Sequence, residues 1–249
     1  VWLGKTFTWG KQLEPTRLVV DNSPCFPNAH IKSDLDDFHF YAAMPDGAAR
    51  WDAWVEGIAN RAPWLYAPEF QANREDGAPL IVSEFGNWGL PDIAPLLAHF
   101  GGEPWWFETG WEWGGGDVYP HAAGLRFYDL HLDKVFGDYA GLATASQWAQ
   151  FEALRYEIET IRLHPQISGY VITEFTDLHW ECNGLLDMLR NPKVYFDRLP
   201  EINADTMVLP RVSRQAWGSG ETAIITLHLS HFGSKPLREM SLRWSRAGD

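Results

Sequence analysis

An α/β fold, with a parallel sheet that makes up half of a (β/α)8 barrel, is what this sequence predicts for most of its length. Three observations point to it. Apolar runs that end in polar residues recur as RLVVDNS at 17–23, DFHFY at 37–41, PLIVSEF at 79–85 and GYVITEFTD at 169–177. Near-continuous apolar strands of this kind are buried on both faces, in a sheet covered by helices. The intervals carry helical periodicity, as crossover connections require. No GxGxxG or P-loop glycine pattern follows any of the runs, which favours a barrel over an open doubly wound sheet.

Taken in order, VWLGKTFTWGKQL at 1–13 has helical spacing and meets a stop at Glu14-Pro15-Thr16. The first two strands follow. AARWDAWVEGIANRA at 48–62 puts Trp51, Trp54, Val55 and Ile58 on one face, ahead of the third strand. SQWAQFEALRYEIETIRLH at 146–164 does the same with Trp148, Phe151, Leu154, Ile158 and Ile161, ahead of the fourth. Beyond residue 205, TAIITLHLS at 222–230 alternates with period two, and a GSKP turn leads into a further alternating strand through Met240, Leu242 and Trp244. Four strands alone would leave two unpaired sheet edges and an exposed inner face. An N-terminal half outside this sequence is therefore expected to complete the barrel. The start on Val1 without an initiator Met, and the interrupted alternation of SLRWSRAGD at the end, fit a piece of a longer protein.

Composition excludes several classes of function. With 20 Lys and Arg against 33 Asp and Glu, a formal charge of −13 and no basic patch, nucleic acid is not an expected partner. No apolar run approaches the ~18 residues of a membrane span, so no membrane partner is expected. Cys25 and Cys182 lie in no CxxC or metal-type spacing and read as free thiols, with no metal and no cofactor called for. Homo-oligomer formation and the compartment stay open.

Glu84 is the main candidate for chemistry. It follows Leu80, Ile81 and Val82, where an ionised carboxylate without partners would cost several kcal/mol if buried. A barrel, however, carries its functional residues at the C-terminal ends of its strands. Glu84 there reads as a nucleophile or base, against a structural ion pair as the plain alternative. The other strand ends offer Asp21, Asn22, His39, Tyr41, Glu174 and Asp177. His39 and Tyr41, two apart, share a face of a strand, to serve the site or simply to pack in the barrel interior. Fourteen tryptophans, many of them in the insertion EPWWFETGWEWGGGDVYPHAAGLRFYD at 103–129, point to a carbohydrate substrate, because flat aromatic faces stack on sugar rings. Trp88, Trp111 and Trp113 are the candidates for stacking.

These residues resemble glycoside hydrolase family 2, the β-galactosidase, β-glucuronidase and β-mannosidase group. LEPTRLVVDNS is similar to the D-P-T/S-R-P-V stretch entering the family's fifth barrel strand, and SDLDDFHFY resembles its sixth strand with a site tyrosine. PLIVSEFG is similar to the seventh-strand signature P-[IL]-x-x-[ST]-E-[YF]-G, and GYVITEFTDLHWECNGLLDMLRNPK resembles the eighth strand with its N-G-L-x-D-x-x-R-x-P-K tail. The resemblance implies the C-terminal half of the catalytic barrel, strands 5 to 8, over 1–204, and the first strands of an accessory β-sandwich over 205–249. It implies a retaining β-glycoside hydrolase with Glu84 as nucleophile, and Tyr41 and His39 as sixth-strand site residues. Asn22, Trp88, Trp111, Trp113 and Glu174 are expected to bind substrate. Where the family has an aromatic near Thr173, this chain has Thr173-Glu174. The family's acid/base, a glutamate in an N-E pair closing the fourth strand, is expected upstream of Val1, since Glu14, Glu69 and Glu103 do not follow apolar strands. The fragment alone would then be inactive. A glycan-binding barrel without chemistry is the competing reading, and an acid pair formed by Glu84 with Glu174 is a third.

Overall fold

A computed structural model describes residues 2–23, 27–70, 77–108, 121–212, 214 and 216–245. The fold is mixed α/β. Helix α1 (Trp2–Leu13) opens the chain as expected; it buries Phe7 and leaves Trp2, Trp9 and Leu13 exposed. Strand β1 (Asp36–His39) leads to helix α2 (Ala48–Ala59), strand β2 (Leu80–Phe85) and helix α3 (Ile93–Phe100). Short helices α4 (Ala123–Asp129) and α5 (Asp133–Phe136) precede the long helix α6 (Tyr139–Arg162), whose first turn is capped by the Asp138 carboxylate on the Gly141 amide at 2.7 Å. Strand β3 (Ile167–Ile172) and helix α7 (Leu199–Ile202) complete this part.

β1, β2 and β3 form one parallel sheet in that order. Both crossover helices lie on the same face of it. Trp51, Val55 and Ile58 of α2 and Phe151, Leu154, Ile158 and Ile161 of α6 join one core with Phe38, Leu80, Val82, Phe85 and Ile167 of the strands. The two helices also touch directly, with the Tyr156 hydroxyl donating to Asp52 at 2.8 Å. The helix faces anticipated from periodicity are those that are buried, except that Trp148 is half-buried against the edge of the core. Trp51 is at the centre, with its ring against Phe40, Trp54 and Phe85.

The pairing of β1 with β2 is irregular at one point. Phe38 pairs with Val82, and His39 then pairs with Glu84, so Ser83 has no partner in β1. Strict alternation from Leu80 and Val82 would send Glu84 into the helix-covered core. The offset turns it away and returns Phe85 to that core, against Trp51 and Tyr170. Gly86 then lets the chain pass β3, since a Cβ there would collide with the Thr173 carbonyl oxygen.

Two strand expectations fail. Residues 17–23 are not a strand, so the described sheet has three strands and not four. Side chains take the backbone groups that a ladder would use. Asp34 accepts from the Val19 amide at 2.8 Å while its own amide donates to the Val19 carbonyl at 2.9 Å, and Asp21 accepts from the amides of Ile31 and Lys32. Near the C-terminus, β4 (Thr206–Val212) and β5 (Ile225–His231) pair antiparallel, but the alternating stretch through Met240, Leu242 and Trp244 is irregular and exposed. Alternation yields a strand only where a partner takes up its backbone groups. Arg162, at the end of α6, reaches the Ser230 hydroxyl and the Asp205 carbonyl at 3.0 Å each and so ties this hairpin to the main sheet.

Trp51→Ala removes the most central ring of the core. It is expected to destabilise the chain by about 3–5 kcal/mol, read as a lower urea midpoint followed by circular dichroism. A loss under about 1 kcal/mol would mean that the ring is not packed as described.

Candidate active site

At the C-terminal end of the sheet, Glu84 receives two groups from the end of β1 and just beyond. The Tyr41 hydroxyl donates to Glu84 Oε2 at 3.0 Å, and His39 Nδ1 lies 3.4 Å from the same oxygen. Burial, reinforced by the Glu84 charge, raises the Tyr41 phenol well above its ordinary value. It therefore stays protonated and acts as a donor. Tyr41 lies past the end of β1, so it reaches Glu84 from a loop and not, as expected, from a shared strand face. The Glu84 side chain is 41% exposed, at the open end of the sheet. Such a site can hold a carboxylate with defined donors and still leave it accessible.

Behind Glu84 stands a group of polar side chains of which sequence reading singled out only Asp21. Asp37 Oδ2 accepts from Ser83 Oγ at 2.6 Å and from Ser23 Oγ at 2.7 Å, while Asp37 Oδ1 lies 2.5 Å from His30 Nε2. His30 Nδ1 is 2.7 Å from Asp21 Oδ1. Burial pushes the Asp37 carboxyl up, but hydrogen bonds from His30, Ser83 and Ser23 outweigh it and hold it below its ordinary value. The signal for this group was faint. Asp37 and His39 alternate with Phe38, but Ser23 and His30 lie in irregular chain with no periodicity to mark them.

Beyond the nucleophile candidate, a cavity of about 470 Å³ is lined by Tyr41, Gly86, Asn87, Trp88, Glu181 and Asn183 among others. Trp88 is about half exposed at its edge. Glu174 follows β3 after a cis peptide from Thr173. Burial, together with the charges of Glu181 and Glu84, pushes the Glu174 carboxyl up to about 6. The loop carrying Glu174, Glu181 and Asn183 is anchored from within. Lys193 Nζ, almost wholly buried, reaches Asp177 Oδ1 at 2.9 Å and the Cys182 carbonyl at 2.8 Å. Burial pushes Asp177 up, to about 7, and Lys193 down, against their mutual attraction. Asp177 is thus a loop anchor and not a group facing ligand.

The remaining candidates divide. Asn22 uses its amide within its own loop, donating to Asp21 Oδ1 at 2.9 Å and to the Ala29 carbonyl at 3.4 Å. Trp111 and Trp113 lie outside the described residues, as does Cys25. Cys182 is a free, buried thiol. Within the tryptophan-rich insertion Glu103 accepts from the Ala122 amide at 2.8 Å, and Trp106 meets His179 edge-on at 5.3 Å in the loop after β3. Among the described residues no cluster of His, Cys, Asp and Glu could hold a metal ion, and no helix is long and apolar enough to cross a membrane.

Asn87, on the cavity wall, is held from behind. Its Oδ1 accepts from the Met44 amide at 3.2 Å and its Nδ2 donates to Glu157 Oε1 at 2.7 Å. Glu157, on α6, is fully buried, and burial pushes its carboxyl up to about 8 against the Asn87 hydrogen bond.

No protein-family model and no curated protein matches this chain. Among solved structures, a Faecalibacterium prausnitzii β-glucuronidase is similar at 16% identity and a TM-score of 0.43, over 79% of this chain and 27% of that one. A Bifidobacterium dentium β-glucuronidase complexed with coumarin-3-O-glucuronide is similar at 14% identity and a TM-score of 0.35, over 68% of this chain and 20% of that one. A Bacteroides uniformis β-glucuronidase is similar at 13% identity and a TM-score of 0.37, over 73% of this chain and 16% of that one. This chain thus spans about a quarter or less of each. A likeness this distant assigns no residue a role.

Glu157 gives a pH test of the cavity wall. Its folded value lies above its unfolded one, so the native state keeps a proton that the unfolded chain releases, and stability falls as pH rises from about 4.5 through about 8. Glu157→Gln keeps the hydrogen bond to Asn87 without that penalty. The variant is expected to melt with the parent at pH 4.5 and about 10 °C or more above it at pH 9, since a carboxyl lifted to about 8 costs about 4–5 kcal/mol there and each kcal/mol shifts a chain of this size by about 2–4 °C. An offset independent of pH would contradict the buried protonated carboxyl.

Proposed function

We propose that this chain is the nucleophile-bearing part of a retaining β-glycoside hydrolase of the glycoside hydrolase family 2 type. The observation that carries the reading is the convergence of Tyr41 and His39 on one oxygen of Glu84, at the C-terminal end of the central strand. In such a mechanism the carboxylate attacks the anomeric carbon and the leaving oxygen takes a proton from a second carboxylic acid ~5–5.5 Å away, which then activates water against the glycosyl ester. Glu84 is the attacking group. Tyr41 orients it, donating to one oxygen while the other stays free to attack.

The sheet β1–β3 and its two crossover helices belong, in this reading, to strands 6 to 8 of a (β/α)8 barrel, with 17–23 leading in from the fifth. Strands in chain order with both helices wound over one face are compatible with a barrel. Residues 1–204 form that barrel part, and 205–249 begin an accessory β-sandwich. The acid/base and the remaining strands come from an N-terminal half of the same protein, and the isolated chain is inactive. The substrate is a carbohydrate with a terminal β-linked sugar, which Trp88 meets with its exposed indole, with Asn22, Glu174, Trp111 and Trp113 completing the contacts.

Glu84→Gln in the full-length protein tests the assignment. Turnover of an aryl β-glycoside is expected to fall by at least about 10³-fold, in keeping with the loss of a covalent catalyst. Retention of a tenth of the activity or more would remove Glu84 from the role. Tyr41→Phe is expected to lower kcat by about 10–100-fold with KM nearly unchanged, and an effect confined to KM would make Tyr41 a substrate contact.

A further inference from the structure

The polar group behind Glu84 fixes where hydrogens sit, and the count can be followed from residue to residue. Both ring nitrogens of His30 face carboxylate oxygens, Asp21 at 2.7 Å and Asp37 at 2.5 Å, so both carry hydrogen and the ring is a cation. The Asp37 amide, 3.5 Å from His30 Nε2, is too distant to compete. Burial works against the charge on His30, yet the hydrogen bonds to Asp37 and Asp21 outweigh it and raise the group above its ordinary value. Asp37, ionised, has no hydrogen to give, so Ser83 and Ser23 both donate to its second oxygen. The one hydroxyl hydrogen of Ser23 is thereby committed. Its oxygen, 2.7 Å from His39 Nε2, can only accept, and His39 Nε2 must carry a hydrogen.

What remains is His39 Nδ1. It is buried, lies 3.4 Å from Glu84 Oε2 and makes no hydrogen bond to it or to any other described residue. We propose that the chain Asp21–His30–Asp37–Ser23 pins His39 as an Nε2 donor, so that the ring is held in one tautomer and one orientation beside Glu84. His30 and Ser23 are then positioning residues that act through His39. The groups facing His39 are Asp37 and Ser23 at Nε2 and Glu84 at Nδ1, with Glu174 and Glu181 adding negative charge beyond Glu84. The role of His39 in catalysis rests on Glu84 as nucleophile, whereas the position of the Nε2 hydrogen does not.

The test is ¹⁵N–¹H correlation of the imidazole nitrogens in the intact chain at pH 7. His39 Nε2 is expected in the protonated range, as are both nitrogens of His30. Ser23→Ala is expected to free the His39 ring, shifting its nitrogens toward the values of an imidazole that exchanges tautomers, with His30 unchanged, and Ser23→Thr is expected to restore the parent spectrum. A bare Nε2 on His39 in the parent overturns the proposal, and so do His39 signals unmoved by Ser23→Ala. If Ser23→Ala does not fold, the parent spectrum decides alone. A kinetic failure of Glu84→Gln would sink the nucleophile assignment and leave these spectra as they are.

Discussion

The unpaired Ser83 in the β1–β2 ladder governs the rest of the site. A strand has two faces, and β2 gives one of them to the helices through Leu80 and Val82. Glu84 falls in step with those two residues. In a regular strand it would be a charge in an apolar core, at a cost of several kcal/mol that no partner there could offset. One residue of slip moves the carboxylate to the open end of the sheet and hands the core position to Phe85. Ser83, which alternation places on the face of Asp37, donates to that carboxylate, so the residue left out of the ladder becomes a link in the hydrogen-bonded group behind the site.

From that displacement the supporting parts follow in layers. Tyr41 and His39 meet Glu84 because the ladder resumes at His39–Glu84, and Asp37, one alternation earlier on the same face of β1, gathers Ser23, Ser83 and His30. The loops that close the cavity are held by buried polar anchors, Lys193 with Asp177 on one side and Glu157 with Asn87 on the other. Each anchor has a carboxyl that burial lifts far from its ordinary value, to about 7 and about 8. Groups perturbed this strongly often mark function. Here both lie behind the cavity wall and hold it in shape, while the carboxyl raised more modestly, Glu174 at about 6, is among the groups around Glu84.

Much of this was legible in the sequence, for reasons that also explain the failures. Helix faces such as Trp51–Trp54–Val55–Ile58 and Phe151–Leu154–Ile158–Ile161 were readable because burial imposes a period on them. Glu84 stood out because a charge interrupts an apolar run. The run at 17–23 has strand composition too, but Asp34 and Asp21 take over its backbone groups, and competition by side chains leaves no periodic trace. His30 and Ser23 were invisible for a related reason: their partners are 7 to 16 residues away in sequence, brought close by an irregular loop. The alternation through Met240, Leu242 and Trp244 is equally real as a pattern, yet a pattern needs a neighbouring strand before it becomes structure.

The central claim is that the slip at Ser83 delivers Glu84 as a nucleophile, and covalent trapping tests it most directly. The full-length protein would be incubated with an activated 2-deoxy-2-fluoro β-glycoside and digested, and its peptides mapped by mass spectrometry. The account predicts one fluoroglycosyl ester on the peptide containing PLIVSEFG, with the label at Glu84. A label at Glu174 or any other carboxylate, or rapid turnover without a trapped ester, would contradict it.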